Sequence, residues 1–465
     1  MSCIINNNSI MFVNREKEIE RLNRSLEKEK PQLIVVYGRR RCGKSTLLRR
    51  VLPKSSIYFS ADKRVVHLQI ASLAKQIDII IPGFAKPVYP DWESILTSMN
   101  TALKKPVTLC IDEFPYLVKN SPELPSVIQK IADNNAHRNY HLILCGSSQQ
   151  MMYSMVLDKT SPLYGRCDEI LRIKPLSIGN MKDFLSVSYR DAVKEFGVWG
   201  GVPRYWEIRK QSGNFGEAVK RNILDQNGVL YEEPERLFSD ELRTSVQAFS
   251  ILSLIGAGVH RLSEIAGRLG KPATQLSRML GFLINQGYIR REVPFGESVR
   301  STKKSLYKID DPFMNFYFTF LVPNKSRLEF DLKDQVWEEI EKKYDQYLSE
   351  IWEELCRKAI SFIEIEGKRF YPASRWWGSG VDNKTMEIDI VAESLDKGTL
   401  LIGEVKWSDK TSLNQLVNLL NTKSSNIPFR KNRKIIKAGF VKEKIGEASQ
   451  DTVIFTPKEI VKLLR

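Results

Sequence analysis

The chain has 465 residues, with 71 Lys and Arg against 55 Asp and Glu and a formal net charge of +16. That length asks for three or four domains, each with material for its own core, and the basic surplus favours an anionic partner such as nucleic acid. No apolar stretch approaches the roughly 20 residues of a membrane span, so no membrane partner is expected. The six cysteines (Cys3, Cys42, Cys110, Cys145, Cys167, Cys356) form no CxxC pair, which excludes a zinc knuckle or a disulfide framework and fits reduced thiols.

The N-terminal residues Met1 to Asn8 lack the charged start and apolar centre of a signal peptide, and a cytoplasmic location is expected. The apolar run Leu33 to Tyr37 reads as a buried strand. It is followed by Gly38-Arg39-Arg40-Arg41-Cys42-Gly43-Lys44-Ser45, a complete G-x-x-x-x-G-K-[ST] phosphate-binding loop, and by a helical stretch from Thr46 to Arg50. Glycines let backbone N–H groups close around a β-phosphate, and the helix N-terminus adds positive potential. Lys44 reaches the β/γ oxygens, and Ser45 offers a hydroxyl to Mg²⁺. ATP and Mg²⁺ are therefore the expected cofactors.

A second buried strand, Val107 to Ile111, ends in Asp112-Glu113, a Walker B pattern. Asp112 suits the Mg²⁺ water shell and Glu113 suits polarisation of an attacking water. A third strand, His141 to Cys145, ends in Gly146-Ser147-Ser148. Strand C-termini of a doubly wound sheet face the ligand crevice, so these serines either sense the γ-phosphate, with Ser147 the candidate, or cap the next helix. Further on, Ser161-Pro162-Leu163-Tyr164-Gly165-Arg166 offers Arg166 as an arginine finger acting in its own subunit or a neighbour, which leaves a homo-oligomer open, or as a plain surface arginine.

Together with Phe12-Val13-Asn14-Arg15-Glu16-x-Glu18-Ile19-x-x-Leu22 and Gly200-Gly201-Val202-Pro203-Arg204-Tyr205, these motifs resemble, in order, the archaeal-type ATPases of the AAA+/STAND branch, which occur in archaea and bacteria. The resemblance covers nearly the whole chain. It implies that Asn14 and Arg15 lie near the nucleotide base, and that the segment up to Pro203 starts a helix of the lid. It also implies a winged helix and a C-terminal domain of unknown function.

From Ser245 to Ile309 the pattern changes to three short helices (Ser245 to Ile255, Leu262 to Gly270, Thr274 to Leu283) and two strands (Gly287 to Val293, Ser305 to Ile309), a winged helix-turn-helix. In a DNA-reading version Gln275, Ser277 and Arg278 enter the major groove, with Arg290 and Arg291 near phosphates. The alternative is a module packed against the lid. The last region opens with a helix from Tyr347 to Arg357. It continues through Arg375-Trp376-Trp377-Gly378 and a hairpin that places Asp389, Glu404 and Lys406 at one end. Asp389 and Glu404 can share a divalent cation with Glu353, while Lys406 orients or deprotonates a water. The arrangement resembles the PD-(D/E)xK nuclease core. Eight basic residues from Lys423 to Lys444, with the single acid Glu443, suit either a phosphate backbone or a solvated loop. The tryptophan pair suits either base stacking or a core.

The expected architecture is thus α/β and multidomain. It comprises a P-loop ATPase core with an AAA+-like parallel sheet (1–180), a helical lid (181–240), a winged helix-turn-helix (241–322) and a restriction-endonuclease-like α/β domain (323–465). The expected function is an ATPase acting on DNA whose nucleotide state gates a Mg²⁺-dependent nuclease. The alternative is a non-cutting switch whose C-terminal domain only recognises nucleic acid or protein.

Overall fold

The computed structural model describes residues 14–134, 138–241, 245–298, 302, 304–446 and 451–465. Phe12, Val13, Cys3 and the segment from Met1 to Asn8 lie outside the described residues. The chain forms two compact units, one ending at Pro175 and the other running from Leu176 to Arg465.

In the first unit a parallel five-stranded sheet has the order β2-β3-β4-β1-β5. Its strands are β1 (Leu33–Gly38), β2 (Ile57–Ser60), β3 (Val107–Asp112), β4 (Tyr140–Gly146) and β5 (Glu169–Ile173). The three strands expected from the sequence, β1, β3 and β4, are buried at every position. Their near-continuous apolar runs are what a sheet covered on both faces requires. β2 and β5 flank them as edges and carry polar or charged residues, which hid them in the sequence.

Because all five strands run the same way, their C-terminal ends lie along one edge. The register pairs Tyr37 with Gly146 and Ser60 with Asp112. That puts the loop after Gly38, the Asp112-Glu113 pair and Ser147 at one end of the sheet. A Cβ built on Gly146 would lie 2.5 Å from the Pro115 ring. Gly146 therefore lets the end of β4 approach the helix Phe114–Asn120, whose preceding residue is Glu113.

In the second unit the winged helix-turn-helix is present. Helices Ser245–Gly256, Leu262–Arg268 and Ala273–Gln286 are followed by the antiparallel pair β6 (Ile289–Glu292) and β7 (Leu306–Ile309). The helix expected from Tyr347 to Arg357 is longer, running from Lys333 to Ala359 over 27 residues, or about 40 Å. Its apolar stripe Val336, Ile340, Tyr344, Tyr347, Ile351, Leu355 repeats at three and four residues and is buried. Near its middle the Tyr344 hydroxyl donates to the Lys194 carbonyl at 2.6 Å and that of Tyr347 to the Gly197 carbonyl at 2.8 Å. Both acceptors lie on the helix Tyr189–Trp199.

A two-residue ribbon, β8 (Glu364–Ile365) with β9 (Lys368–Arg369), precedes a mixed sheet of order β10-β11-β12-β13-β14. Its strands are β10 (Ser374–Ser379), β11 (Thr385–Glu393), β12 (Thr399–Lys406), β13 (Lys434–Val441) and β14 (Thr452–Phe455). β10 to β12 are antiparallel neighbours, and β13 and β14 add in parallel after the helix Leu413–Ser425. The β11–β12 turn is set by Asp396, whose carboxylate accepts from the Gly398 N–H at 3.1 Å and from the Ser394 hydroxyl at 2.6 Å.

A Gly146→Ala substitution should cost about 1–3 kcal/mol through overpacking and displace Ser147 from Glu113. A lower calorimetric transition for the first unit with reduced ATP turnover is expected; an unchanged transition would contradict the role given to this glycine.

Candidate functional site

The phosphate loop grows from the end of β1. A Cβ on Gly38 would sit 2.2 Å from the Ile173 carbonyl oxygen, so only glycine passes β5 this closely. Arg41 (φ 65°) and Gly43 (φ 86°) turn the loop through left-handed conformations into the helix Lys44–Val51, which includes Thr46. Arg39 and Cys42 are buried within the loop and Arg40 is half-buried. Lys44 is buried too, with its ammonium donating to the Gly38 carbonyl at 2.9 Å and the Arg39 carbonyl at 3.1 Å. The amine is thus already held over the loop's mouth, where an incoming phosphate oxygen would replace the carbonyls.

The Ser45 hydroxyl donates to Asp112 Oδ2 at 2.7 Å, and the Tyr58 hydroxyl, from β2, donates to the same oxygen. Burial pushes the Asp112 carboxyl up. Hydrogen bonds from Tyr58, Ser45, Cys145 and the Glu113 N–H outweigh it and hold the group below the usual carboxylate range. An ionised carboxylate bonded directly to a hydroxyl is a donor pair fit for Mg²⁺. Burial and the Asp112 carboxylate together drive the Tyr58 phenol well above its ordinary range, so it stays a hydrogen-bond donor. Sequence reasoning missed Tyr58, since a tyrosine in a four-residue strand carries no motif; only the pairing of β2 beside β3 reveals it.

Glu113 adopts a left-handed backbone (φ 55°), a strained conformation of the kind that collects at functional sites. Its carboxylate accepts from the Ser147 hydroxyl at 2.9 Å. Ser148 precedes the helix Gln149–Leu157 and makes no side-chain capping bond. Of the two serines, then, Ser147 meets the acidic pair and neither acts as a side-chain cap.

The remaining expected residues are placed less simply. Asn14 accepts the Arg15 N–H at 2.9 Å. The buried Arg15 guanidinium bonds Glu18, the Cys42 carbonyl at 3.2 Å and the Lys174 carbonyl at 2.5 Å, which ties the N-terminal segment to the loop. Arg166 is clamped in a two-point bond to Asp133, at 2.6 and 3.1 Å. Pro203 opens the helix Pro203–Lys210 in the second unit, in the N-terminal position suited to proline.

The second unit holds another cluster. The β11–β12 register pairs Ile390 with Gly403, so Asp389 and Glu404 come next to each other one step further on. Asp389 accepts the Val405 N–H at 2.9 Å, and Lys406 lies 4.0 Å from Asp389 and 3.7 Å from Glu404. Lys423, on the helix Leu413–Ser425, donates to Glu404 Oε1 at 2.6 Å; in sequence it is one more lysine of the basic run, with nothing to mark its partner. Glu404 is fully buried, and its Oε2 has no hydrogen-bond partner. Burial first and the Asp389 charge second push the Glu404 carboxyl up to about 7, against the pull of Lys423 and Lys406. Glu353 is raised by burial and by Asp389, although Arg357 sits 3.5 Å away.

Among the described residues no three His, Cys, Asp or Glu side chains converge as a metal-holding group. The expected three-carboxylate site of Glu353, Asp389 and Glu404 is therefore not preformed, because Lys423 and Arg357 each engage one of its members.

Two expectations about basic residues are corrected. Arg290 is not free for phosphates; it is packed among Glu292 (2.7 Å), Glu354 (3.2 Å) and Asp310 (3.5 Å). Of the eight basic residues from Lys423 to Lys444, five pair with acids of the same chain: Lys423 with Glu404, Arg433 with Glu393, Lys434 with Glu366, Lys437 with Asp451, and Lys442 with Asp345 and Asp409. Trp376 is buried against Phe429, with ring centres 5.2 Å apart, and the Arg375 guanidinium lies over Trp377. By contrast Gln275, Ser277 and Arg278 are exposed on the third helix of the winged module. The five described cysteines are free thiols, and no described helix is long and apolar enough to cross a membrane.

A parallel sheet whose first central strand delivers a G-x-x-x-x-G-K-S loop beside an acidic strand end defines a P-loop ATPase. An ATPase domain predominantly from Archaea matches residues 12–207, an IclR helix-turn-helix domain residues 246–293, and a domain of archaeal and bacterial proteins of unknown function residues 317–418. An uncharacterized protein of Methanocaldococcus jannaschii is 34% identical over 405 residues, 86% of this chain and 88% of that one. The chain belongs to this family of archaeal-type ATPases. A shorter uncharacterized ATP-binding protein of the same organism is 46% identical over 48 residues, 10% of this chain and 81% of its own. The Walker-type ATPase of Pyrococcus abyssi shares the fold, with a TM-score of 0.52 and 23% identity, covering 66% of this chain and 96% of that chain. The protein binds nucleotide and is an ATPase.

The raised Glu404 carboxyl has a consequence for stability. Its ordinary value is 4.5 and its folded value about 7, so the fold binds this proton more tightly than the unfolded chain does. The contribution is complete below about pH 4.5 and is lost as pH rises through about 7. Glu404→Gln, neutral throughout, should flatten that decline in urea-unfolding midpoints followed across this range. An equal slope in both proteins would exclude Glu404 as the titrating group.

Proposed function

We propose that this protein is an ATP-driven DNA-processing enzyme in which the nucleotide state of the first unit governs a phosphodiester-cleaving site in the second. In the ATPase site Lys44 would neutralise the β/γ oxygens, while Ser45 and the ionised Asp112 would hold Mg²⁺, which would screen charge on the phosphates. Glu113, released from Ser147, orients the attacking water. A γ-phosphate that recruits Ser147 would free Glu113 at the moment of need. Arg166 would join only after leaving Asp133.

For the second site, the observation that carries the reading is Glu404 Oε2 beside Asp389: it is fully buried, accepts no hydrogen bond and has Lys406 3.7 Å away as its charge partner. A buried carboxylate oxygen without a donor is costly, and a divalent cation shared with Asp389 would satisfy it. Such a cation would supply charge neutralisation at the scissile phosphate, with Glu353 in reserve as a further ligand and Lys406 positioned to orient or deprotonate water. The helix, the three antiparallel strands, the second helix and the parallel strand occur in the order of the PD-(D/E)xK core and support the same reading. DNA contact is assigned to the exposed Gln275, Ser277 and Arg278 face of the winged module.

A second reading, a non-cutting nucleotide-dependent switch, is favoured by one observation: the Lys423 ammonium already occupies Glu404 at 2.6 Å, a resident cation that makes the metal dispensable.

Supercoiled and single-stranded DNA, incubated with Mg²⁺ or Mn²⁺ and with or without ATP, separate the two. The parent protein should nick, Asp389→Ala should lose nicking by at least about 100-fold while keeping ATP turnover, and Lys44→Ala should lose ATP turnover. DNA bound but uncut by the parent would overturn the first reading in favour of the switch.

A further inference from the structure

The wing of the winged helix-turn-helix, the expected phosphate-gripping element, is buried against the C-terminal domain. Arg290 on β6 bonds Glu292 at 2.7 Å and the Ile309 carbonyl at 3.1 Å, and pairs with Glu354 of the long helix at 3.2 Å. Glu292 in turn lies 3.4 Å from Arg375 on β10 and 3.6 Å from Arg357 on the long helix. The chain continues beyond β6 into the C-terminal domain. There the Phe295 N–H donates to the Arg375 carbonyl at 2.8 Å, and its ring packs on Phe429 with centres 5.3 Å apart. Two outer pairs, Lys308 with Glu350 and Lys358 with Asp310, each at 3.0 Å, close the seam.

The network ends at the carboxylate cluster. Arg357 is 7% exposed and donates to the Asp389 carbonyl at 3.3 Å, while standing 3.5 Å from Glu353 and 3.0 Å from Glu354. Arg375 also pairs with Glu387, two residues before Asp389 on β11. Both guanidiniums that adjoin the cluster thus share one wing carboxylate, Glu292.

We propose that the wing is an internal strut, and that Glu292 is a positioning residue that holds Glu353 and Asp389 in place through Arg357 and Arg375. The helix that faces solvent and the wing that braces the carboxylates belong to one small module, so a load on Arg278 and its neighbours is delivered to the cluster through β6. A guanidinium is a rigid fork, and each of these two is aimed by its acids. With Glu292 neutralised, Arg357 has only Glu353 and Glu354 to balance it and is drawn toward the acids it should hold in register. What the cluster does when held rests on the metal-site reading above; the strut itself does not.

The test uses the full chain with Glu292→Gln, Glu292→Asp and Phe295→Ala. Backbone hydrogen exchange over residues 353–359 and 386–391 should speed up by about tenfold or more in Glu292→Gln and Phe295→Ala, with β1 and β3 unchanged as an internal control. Mn²⁺ affinity, read from the paramagnetic resonance of the free ion, should fall by roughly 10- to 100-fold in Glu292→Gln and recover in part in Glu292→Asp. Exchange at the parent rate in both segments would overturn the strut, and so would an aspartate variant that binds Mn²⁺ no better than the glutamine one. Parent protein that binds no more Mn²⁺ than Asp389→Ala would instead overturn the metal-site reading, leaving exchange to decide the strut.

Discussion

A buried carboxylate on a sheet strand, Asp112 in the first unit and Asp389 in the second, shapes the surroundings of each candidate site. Burying a charge is expensive unless donors surround it, and the chain answers in the same way twice. Asp112 ends β3 and draws hydroxyls from Ser45 and Tyr58 together with the next backbone N–H. Asp389 lies within β11; its carboxylate draws the Val405 N–H with Lys406 4.0 Å away, and Arg357 donates to its backbone carbonyl. In each case the sheet brings the donors: β2 lies beside β3, and β12 beside β11. Sheet order is thus an electrostatic requirement as well as a packing one.

The phosphate loop, the acidic strand end, the central strands and the winged helix could be read from sequence because each is specified locally. A loop that wraps phosphate needs glycine where side chains would collide, and a strand covered on both faces needs an unbroken apolar run. The asymmetric partnerships were hidden. Nothing near Arg166 in sequence announces Asp133, thirty-three residues earlier, and nothing near Glu404 announces Lys423. Short edge strands such as β2 fell below the length at which periodicity says anything.

Charge misleads in a related way. A run of lysines and arginines in sequence suggests a positive field in space, yet five of the eight between Lys423 and Lys444 face acids of their own chain. Arg290 makes the same point within the wing, where a basic residue serves as a fastener between two modules. The side chains of Gln275, Ser277 and Arg278 stay exposed on the outward side of the Ala273–Gln286 helix.

The 27-residue helix from Lys333 to Ala359 carries this logic into mechanics. Near its middle Tyr344 and Tyr347 are pinned to the carbonyls of Lys194 and Gly197, and about 13 Å further along it presents Glu353, Glu354 and Arg357. A continuous α-helix is stiff along its axis, because compression would have to break backbone hydrogen bonds in series. A push along the axis at the tyrosines would therefore be carried toward the acids, as a rod carries at one end what is applied at the other.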